Sequence, residues 1–584
     1  MKCKLVFLCI AAVSVIGAGS LFAAVAPQWP QWGHDPQHGS SVSTLGQPLT
    51  RIVQDIVYDP FVPAEIAAGG GDLFVHYQTP LLDGNDVYME FKGGNFTTIP
   101  HWETQDWMEK KLTWQGGNLV VAWSYTSTWK PVPYGSNTGV GAFWEPVFHP
   151  ALAGDFIYVP SAQGTVTKLR KSDGSVVATI NPFATGTSAP VNNTDIFVAS
   201  PLSADKNGNI YYNAIQLSHS QPWDQDVVDS WLVKITPQNQ ASKVSYSVLT
   251  PGAPRGTDTT CKVQFADADL PWPPSPDAVP TTTLCGSQRP GINVAPAIAP
   301  NGTIYTVSRG HFVTRYSYLI AVNPNLTLKW SASLRDRLND GCGVLLPIGG
   351  PGGCRAGAHL GVDPGTNEPG PGRVLDDGTA SPTVAPDGSV VFGTYSRYNW
   401  AQGHLMKFSS TGQFQGAYPF GWDITPGIYS HSGTYSIVTK DNHYSETGSY
   451  CDVETVCPSD RTATHPNYPE EYFITQLGPT MSVEWQWQNT NTQSCTRNAN
   501  GSVTCVSDHP NGFEWCVNGM AIDGNGTVFA NSEDGNTYAI LQGGILRDNL
   551  FQQLAVGAAY TPASIGSDGR IFSQNAGHLF VLGN

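Results

Sequence analysis

One pattern of apolar and polar positions recurs eight times along the chain. Each copy starts with a proline or its equivalent, continues through a short apolar stretch and a glycine turn, and ends in a β-branched and aromatic run, as in SPTVAPDGSVVFG at 381–393. Proline is tolerated at the first residue of a strand, and the glycine supplies the positive φ of a tight turn. Each copy therefore predicts two antiparallel strands. The copies lie at 80–88, 150–158, 200–211, 295–305, 381–393, 425–435, 519–529 and 561–572.

Most copies are followed by a second strand–turn–strand unit, such as YLIAVNPNLTLKW at 318–330. Two hairpins make a four-stranded sheet, which has to bury both faces against neighbouring copies arranged in a ring. Eight copies predict an all-β, eight-bladed β-propeller, with a seven-bladed propeller as the alternative. The last copy ends at Asn584 without a fourth strand, and RIVQDIVY at 51–58 is predicted to supply it and close the ring.

Several intervals between copies exceed the roughly 40–50 residues of a bare blade. The additional residues fall between the second and third strands of a copy, or between its fourth strand and the next copy. Both kinds of link lie on the face opposite to the glycine turns, which predicts a cap of loops on one face. We expect a small molecule or a protein partner to bind there. The long links are 217–230, 251–286, 335–372, 439–471 and 489–512.

The N-terminus has the pattern of a secretory signal peptide. Lys2 and Lys4 precede an apolar stretch that ends in small residues near Ala23. We predict a signal peptide at 1–23 and a single propeller domain at 24–584, in a secreted or periplasmic protein. No later segment is long and apolar enough to predict a membrane span.

Nine cysteines follow the predicted signal peptide, and disulfides are the usual state of cysteines in an exported protein. In CTRNANGSVTC at 495–505, a turn with Gly501 in the left-handed region would place the two cysteines directly opposite each other. Cys516 is left over: either it is buried and unpaired, or one pairing is wrong. The pairs predicted from proximity are Cys261–Cys285, Cys342–Cys354, Cys451–Cys457 and Cys495–Cys505.

Composition and charge narrow the function. Charged residues make up 13% of the chain, whereas 62 Gly and 44 Pro indicate an all-β protein with many loops. A net charge of -16 disfavours a nucleic-acid partner. No Gly-x-Ser-x-Gly, P-loop or His-Glu-x-x-His motif is present, so no catalytic residue is assigned.

The copies, with a proline–turn–tyrosine half followed by a leucine–glycine–tryptophan half, resemble the quinoprotein-type repeat. This repeat occurs in PQQ-dependent alcohol dehydrogenases and in propeller lipoproteins of outer-membrane protein assembly. QWPQWGHDPQHGSS at 28–41 is also similar to the start of many such secreted propellers. The resemblance implies a propeller fold and favours a bacterial source.

For a dehydrogenase, the resemblance further implies PQQ, Ca²⁺, an aspartate base and a disulfide between adjacent cysteines. The chain has no adjacent cysteines and no Cys-x-x-Cys-His motif for a covalent haem. We therefore expect an exported, non-catalytic propeller that binds a ligand or partner and needs no cofactor. A PQQ- and Ca²⁺-dependent quinoprotein dehydrogenase is the alternative.

Polar and aromatic residues in or beside the predicted links are the candidates for ligand binding. Arginine beside tyrosine or tryptophan could clamp an anionic or sugar-like ligand, and ion pairing within the cap is the alternative. The histidines are single and lack ligand spacing, so no metal site is predicted. The candidates are His219, Trp223, Arg309, His311, Arg315, Arg397, His404 and His443.

Overall fold

The structure is a computed structural model that describes most of the chain after the predicted signal peptide. The described residues are 28–99, 101–132, 144–183, 195–256, 259–349, 353–444, 470–498, 500–555 and 561–584. The signal-peptide prediction and the Cys451–Cys457 pairing lie outside these residues. The described chain is nearly all β, as composition and pattern predict. None of its helices is long and apolar enough to cross a membrane.

Eight antiparallel sheets of four or five strands correspond to the eight copies within the described residues. The first strand, β1 (Arg51–Val57), belongs to the last sheet. Sheet 1 contains β2 (Leu81–Asp83), β3 (Asp86–Gly94), β4 (Gln105–Gln115) and β5 (Asn118–Thr126), and sheet 2 contains β6 (Ala151–Ala153), β7 (Phe156–Pro160), β8 (Val166–Arg170) and β9 (Val176–Ile180). Sheet 3 contains β10 (Ile196–Val198), β11 (Ser203–Ala204), β12 (Ile210–Gln216), β13 (Asp229–Ile235) and β14 (Ala241–Ser245). After the pair β15 (Thr260–Lys262) and β16 (Thr282–Leu284), sheet 4 contains β17 (Gln288–Pro290), β18 (Ala297–Ile298), β19 (Ile304–Gly310), β20 (Tyr318–Val322) and β21 (Leu328–Ser333).

Sheets 5 to 8 follow a small sheet of β22 (Arg335–Leu338), β23 (Val362–Asp363) and β24 (Glu368–Pro371). Sheet 5 contains β25 (Thr383–Val384), β26 (Val390–Thr394), β27 (His404–Phe408) and β28 (Phe414–Tyr418), and sheet 6 contains β29 (Gly427–His431), β30 (Thr434–His443), β31 (Glu471–Leu477) and β32 (Val483–Gln488). After the hairpin β33 (Gln493–Arg497) and β34 (Val503–Ser507), sheet 7 contains β35 (Ala521–Ile522), β36 (Val528–Asn531), β37 (Asn536–Leu541) and β38 (Ile545–Phe551). Sheet 8 contains β39 (Ser564–Ile565), β40 (Ile571–Asn575) and β41 (His578–Gly583), together with β1. The α-helices of the described chain are α1 (Val62–Ala68) and α2 (Tyr246–Leu249).

The N-terminal strand completes the last sheet. β1 pairs antiparallel with β41, from Arg51 opposite Gly583 to Val57 opposite His578. The sequence predicts this pairing, because the last copy lacks a fourth strand of its own. The first sheet thereby follows the last, and β2 contacts β39.

The turn that joins the first two strands of each copy has the predicted backbone. Its glycine has a positive φ of 57–83° in all eight copies, a conformation that L-residues with a Cβ adopt rarely. In the opening example, Asp387 Oδ1 accepts a hydrogen bond from Ser389 N at 2.8 Å, and Gly388 has a φ of 80°. The aspartate and glycine thus shape the turn and do not form a site.

Residues 29–47, which we call the ring segment, run in chain order past the first strands of sheets 1 to 7 and the first turn of sheet 8. Its backbone makes the hydrogen bonds, except that the N–H of Ala204 donates to the side chain of Gln31. A segment this short can reach all eight sheets only near a common axis, where the first strands converge. The residues contacted in sheets 1 to 8 are Leu82, Leu152, Ala204, Ile298, Val384, Ile428, Ile522 and Gly569.

The hydrophobic core lies between neighbouring sheets. One cluster joins sheets 8 and 1 through side chains such as Leu579, Ile571 and Val87. Others join sheets 1 to 3, sheets 3 and 4, sheets 4 and 5, and sheets 5 to 7. Each sheet thus buries its faces against the sheets before and after it, which is the packing of a β-propeller.

Three of the predicted disulfides are present among the described residues. They are Cys261–Cys285, Cys342–Cys354 and Cys495–Cys505. Cys495 lies directly opposite Cys505 in the β33–β34 pairing, and Gly501 has a φ of 82°, as predicted from the hairpin. Cys516 is buried.

Candidate functional site

Polar side chains from four sheets meet at the end of the first strands opposite to the glycine turns. We call this group the axial site: His76, Asp377, Asp423, Lys440 and Asn518. Lys440 lies in β30, and the other four precede the first strands of sheets 1, 5, 6 and 7. The links between sheets enter at this end, so the axial site lies on the face where the sequence predicts the cap.

Hydrogen bonds through Thr379 join sheets 5, 6 and 7 at the axial site. Asp423 Oδ1 accepts from Thr379 N at 2.7 Å and from Thr379 Oγ1 at 3.1 Å. The Asn518 amide donates to Thr379 Oγ1 at 2.8 Å. Lys440 Nζ lies 3.8 Å from Asp423 Oδ2. All four side chains are buried, so the low local dielectric strengthens these contacts.

Three buried oxygen atoms of the axial site accept no hydrogen bond from any described residue: Asp377 Oδ1, Asp423 Oδ2 and Asn518 Oδ1. A buried acceptor without a donor costs about 1–3 kcal/mol, and more when it is charged. Burial, with Asp376 and Asp423 adding to it, raises the pKa of Asp377 to about 6. Three acceptors of the site are therefore left without a donor from the described residues.

Two residues beside the axis have a backbone conformation that is uncommon for residues other than glycine. Asp423 has a φ of 55° and Asn293 a φ of 68°. Each is the third residue before the proline of its copy, Pro426 and Pro296. Such conformations cost about 1–3 kcal/mol and are concentrated at functional sites. Here they occur where polar side chains from different sheets meet.

His76 makes a contact that crosses the axis. Its Nδ1 lies 3.0 Å from Glu145 O and 3.5 Å from the amide nitrogen of Asn293. His76 precedes sheet 1, and Asn293 lies between β17 and β18 of sheet 4. These two sheets are not neighbours in the ring. Burial lowers the pKa of His76, although Asp423 opposes the shift, so the imidazole is neutral at neutral pH.

Two arginines hold Asp376 next to the axial site. Arg289 donates to both oxygens of Asp376, at 2.8 and 2.6 Å, and Arg309 donates to Oδ2 at 2.9 Å. Although burial opposes the shift, these arginines hold the pKa of Asp376 below its usual value. Their remaining guanidinium nitrogens donate to His311 and to backbone carbonyls. The arginine donors are therefore engaged within the protein.

Glu514, Cys516 and Glu533 are the residues that could hold a metal ion. Their ligand atoms lie within 4.8 Å of one another, a grouping found nowhere else in the described part of the chain. Burial raises the pKa of all three side chains. Cys516 Sγ donates to Glu533 Oε1 at 3.0 Å. A soft or borderline metal ion binds a thiolate, so its binding would require Cys516 to lose the thiol proton. That proton already has an acceptor in Glu533.

Three of the ligand-binding candidates from the sequence form one cluster. The Trp223 and His311 rings stack at 5.9 Å, and Arg309 reaches the same network through Asp376. Arg289 Nε donates to His311 Nδ1 at 3.1 Å. The three candidates are buried, and their polar groups are engaged with other protein groups. Arg309 lies within β19 and not in a link.

The other five candidates lie apart from that cluster. His219, whose side chain is 83% exposed, lies 2.9 Å from Asp195, and the other four also make contacts within the protein. The ion pair of Arg315 with Glu368 is the alternative drawn from the sequence for the arginines, and a role of all five candidates in ligand binding stays a prediction. The four contacts are Arg315 with Glu368 at 3.5 Å, Arg397 with the Trp272 ring at 6.0 Å, His404 with Asp340, and His443, at the end of β30, with Asp441 at 3.0 Å.

Sequence reasoning missed the axial site because it searched the links between second and third strands. A signal was nevertheless present. The third residue before the proline of a copy is Asn293, Thr379 or Asp423 in three successive sheets. Aligning the copies a few residues upstream of the proline would have found a recurring polar position that faces the axis.

Comparisons with known proteins find matches among solved structures. No protein-family model and no curated protein matches the chain. Among solved structures, a europium-containing methanol dehydrogenase is 11% identical, with a TM-score of 0.46 over 94% of this chain and 89% of that one. The quinohemoprotein alcohol dehydrogenase of Comamonas testosteroni is 11% identical, with a TM-score of 0.48 over 96% and 81%. BamB from Moraxella catarrhalis is 9% identical, with a TM-score of 0.37 over 91% and 99%.

Proposed function

We propose that the protein is an exported eight-bladed β-propeller that binds a cationic ligand at the axial site. In this proposal β1 closes the ring, disulfide-stapled loops cover the link face, and the ring segment covers the axis at the opposite end. The ligand class is a hard divalent metal ion or an organic ammonium ion. Both bring positive charge to oxygen acceptors.

The observation that carries the proposal is the set of buried acceptors without donors. Asp377 Oδ1, Asp423 Oδ2 and Asn518 Oδ1 receive no hydrogen bond from the described residues. The two carboxylates are close enough for Asp423 to raise the pKa of Asp377. A cation between them would supply the missing partner and relieve the repulsion between like charges.

The described residues of the axial site do not fit PQQ, the cofactor that the resemblance implies. PQQ carries three carboxylates and needs donors, whereas Arg289 and Arg309 already donate to Asp376, His311 and backbone carbonyls. Lys440 lies beside Asp423. An anionic quinone would meet hydrogen-bond acceptors where it needs hydrogen-bond donors.

Replacing Asp377 with asparagine is expected to weaken cation binding about tenfold or more. The reason is that a charge-assisted contact worth about 1.5–3 kcal/mol is lost while the side-chain shape is kept. Isothermal titration calorimetry with CaCl₂, MnCl₂ and an alkylammonium chloride measures this effect and separates the metal from the organic cation.

The matched control is Asp387→Asn, which changes a turn carboxylate at the opposite end of the same sheet. It should bind like the wild-type protein. Equal affinity in the Asp377 variant, or no binding of any of the three cations by the wild type, contradicts the proposal.

The same binding is expected to depend on pH. Because the pKa of Asp377 is raised to about 6, a growing fraction of this group is protonated as the pH falls through 6. Protons then compete with the cation, and the affinity should fall about tenfold per pH unit below that value. Titrations between pH 5 and 8 test this. An affinity that stays constant across the range, or that rises as the pH falls, is the opposing outcome.

A further inference from the structure

Two buried glutamate–glutamine pairs in and beside sheet 1 share one unusual feature. In the first pair, the Gln78 amide nitrogen donates to Glu109 Oε1 at 3.5 Å. The other two oxygens of the pair, Glu109 Oε2 and Gln78 Oε1, receive no hydrogen bond from any described residue. Both side chains are fully buried.

The second pair repeats this arrangement. The Gln105 amide nitrogen donates to Glu65 Oε1 at 3.0 Å. Here too, Glu65 Oε2 and Gln105 Oε1 have no donor within the described residues. Glu65 lies in α1 and Gln105 opens β4, so the pair attaches the helix to the sheet.

A carboxylate and a carboxamide can form one hydrogen bond side by side, and this leaves two acceptor oxygens facing each other. A carboxylic acid changes this, because its O–H donates to the amide oxygen while the amide N–H donates to the acid carbonyl. In such a two-point pair, one proton satisfies both remaining oxygens. We propose that Glu65 and Glu109 are protonated at neutral pH and form two-point acid–amide pairs with Gln105 and Gln78.

The surroundings of Glu109 favour the neutral acid. Glu90 lies directly opposite it in the β3–β4 pairing, and both are buried. Glu90 Oε1 accepts from Gln78 N at 3.0 Å. Burial, with Glu90 adding to it, raises the pKa of Glu109 well above its usual range, and burial raises that of Glu90 to about 8.

Glu65 faces more charged groups, of both signs. Lys92 Nζ lies 3.6 Å from Glu65 Oε1, but it is closer, at 2.9 Å, to both Asp59 Oδ2 and Glu145 Oε2. One ammonium group thus meets three carboxyl groups in a buried site. Burial, to which Asp59 adds, raises the pKa of Glu65 in spite of Lys92.

These protons couple folding to pH, independently of the proposed function. The folded pKa values lie above the unfolded value of 4.5, so the stabilisation is complete below pH 4.5 and is lost as the pH rises through the folded pKa values. As the pH rises through that window, each proton that is lost lowers the folding equilibrium constant about tenfold per pH unit. The network also reaches the axial site, because Glu145 O lies 3.0 Å from His76 Nδ1.

The test compares the full chain with Glu65→Gln and Glu109→Gln. Glutamine mimics the neutral acid and keeps a donor and an acceptor in place, so both variants should fold. As the pH rises, the folding equilibrium constant of each variant should fall less steeply than that of the wild type, by about tenfold per pH unit, because one titrating proton is absent. Urea unfolding from pH 5 to 9 measures this difference. Each should also remove one protonated-carboxyl carbonyl band from the infrared spectrum at pH 7. Glu103→Gln, at an exposed position, is the matched control and should change neither.

Two kinds of result in these unfolding and infrared measurements count against the acid–amide pairs. Carboxylates bridged by buried water molecules would leave the infrared band unchanged in the variants. A variant that fails to fold, or that unfolds with the wild-type pH dependence, would show that the charged form is needed or that the proton is absent. Loss of cation binding alone bears on the proposed function and leaves this inference untouched.

Discussion

Replacing Trp32 with alanine is expected to lower the free energy of unfolding by about 3–5 kcal/mol, the usual loss for a buried tryptophan. Trp32 lies in the ring segment and is 1% exposed. Its Nε1 donates to Thr425 Oγ1 at 3.0 Å, and that hydroxyl in turn donates to Thr379 O at 3.0 Å. Its ring also meets His149 edge to face at 5.5 Å. The substitution therefore removes an anchor between the ring segment and three sheets.

Equilibrium urea unfolding followed by tryptophan fluorescence measures this loss. Trp330→Ala, at a half-buried position in β21, is the control and should cost less, about 1–2 kcal/mol. If the Trp32 variant is as stable as this control, the ring segment contributes little to holding the sheets together. Because Thr379 also holds Asp423, we expect the Trp32 variant to bind the cation more weakly as well.

Replacing Lys92 with methionine is expected to cost about 3–5 kcal/mol at pH 7. Lys92 is fully buried, with its Nζ 2.9 Å from both Asp59 and Glu145. Methionine keeps most of the side-chain volume and removes the cation, so two buried carboxylates lose their counter-charge. The loss should be smaller at pH 5, because burial raises the pKa of Glu145 well above its usual value and a proton can then neutralise it.

Lys130→Met is the control for charge removal at a surface pair. Lys130 and Asp106 lie 3.3 Å apart and are both partly exposed, and such pairs contribute about 0–1 kcal/mol. Urea unfolding of both variants at pH 5 and pH 7 gives the comparison. A Lys92 variant that is as stable as the control, or that is more stable at pH 7 than at pH 5, would contradict the assignment of Lys92 as the buried counter-charge.

The repeat by itself predicts the strand order of the fold. The proline and the glycine turn are local features, and they mark the first two strands of every sheet, including the weak copy at 425–435. The same reasoning located β1 as the missing strand of the last sheet and the register of Cys495 and Cys505. Local chemistry suffices for these elements because turn geometry and strand pairing act over a few residues.

The ligand-binding candidates show where this reasoning stops. Residue type and link position selected Arg309 and His311, which the structure places in a buried network with Asp376 and Arg289. The same criteria passed over Asp423, which stands in an ordinary-looking GWDITP. A residue type does not show which charges lie opposite it, and those charges decide whether a side chain is paired.

The sequence by itself determined the repeated hairpins, the position of the long links and the cysteine hairpin, because each follows from the conformational preferences of neighbouring residues. Only the tertiary structure decided that residues 29–47 contact all eight sheets, and that Asp377, Asp423 and Asn518 meet at the axis. It likewise paired Glu65 with Gln105 and Glu109 with Gln78. These contacts join residues far apart in the chain, and burial and the charges of distant neighbours set their chemistry.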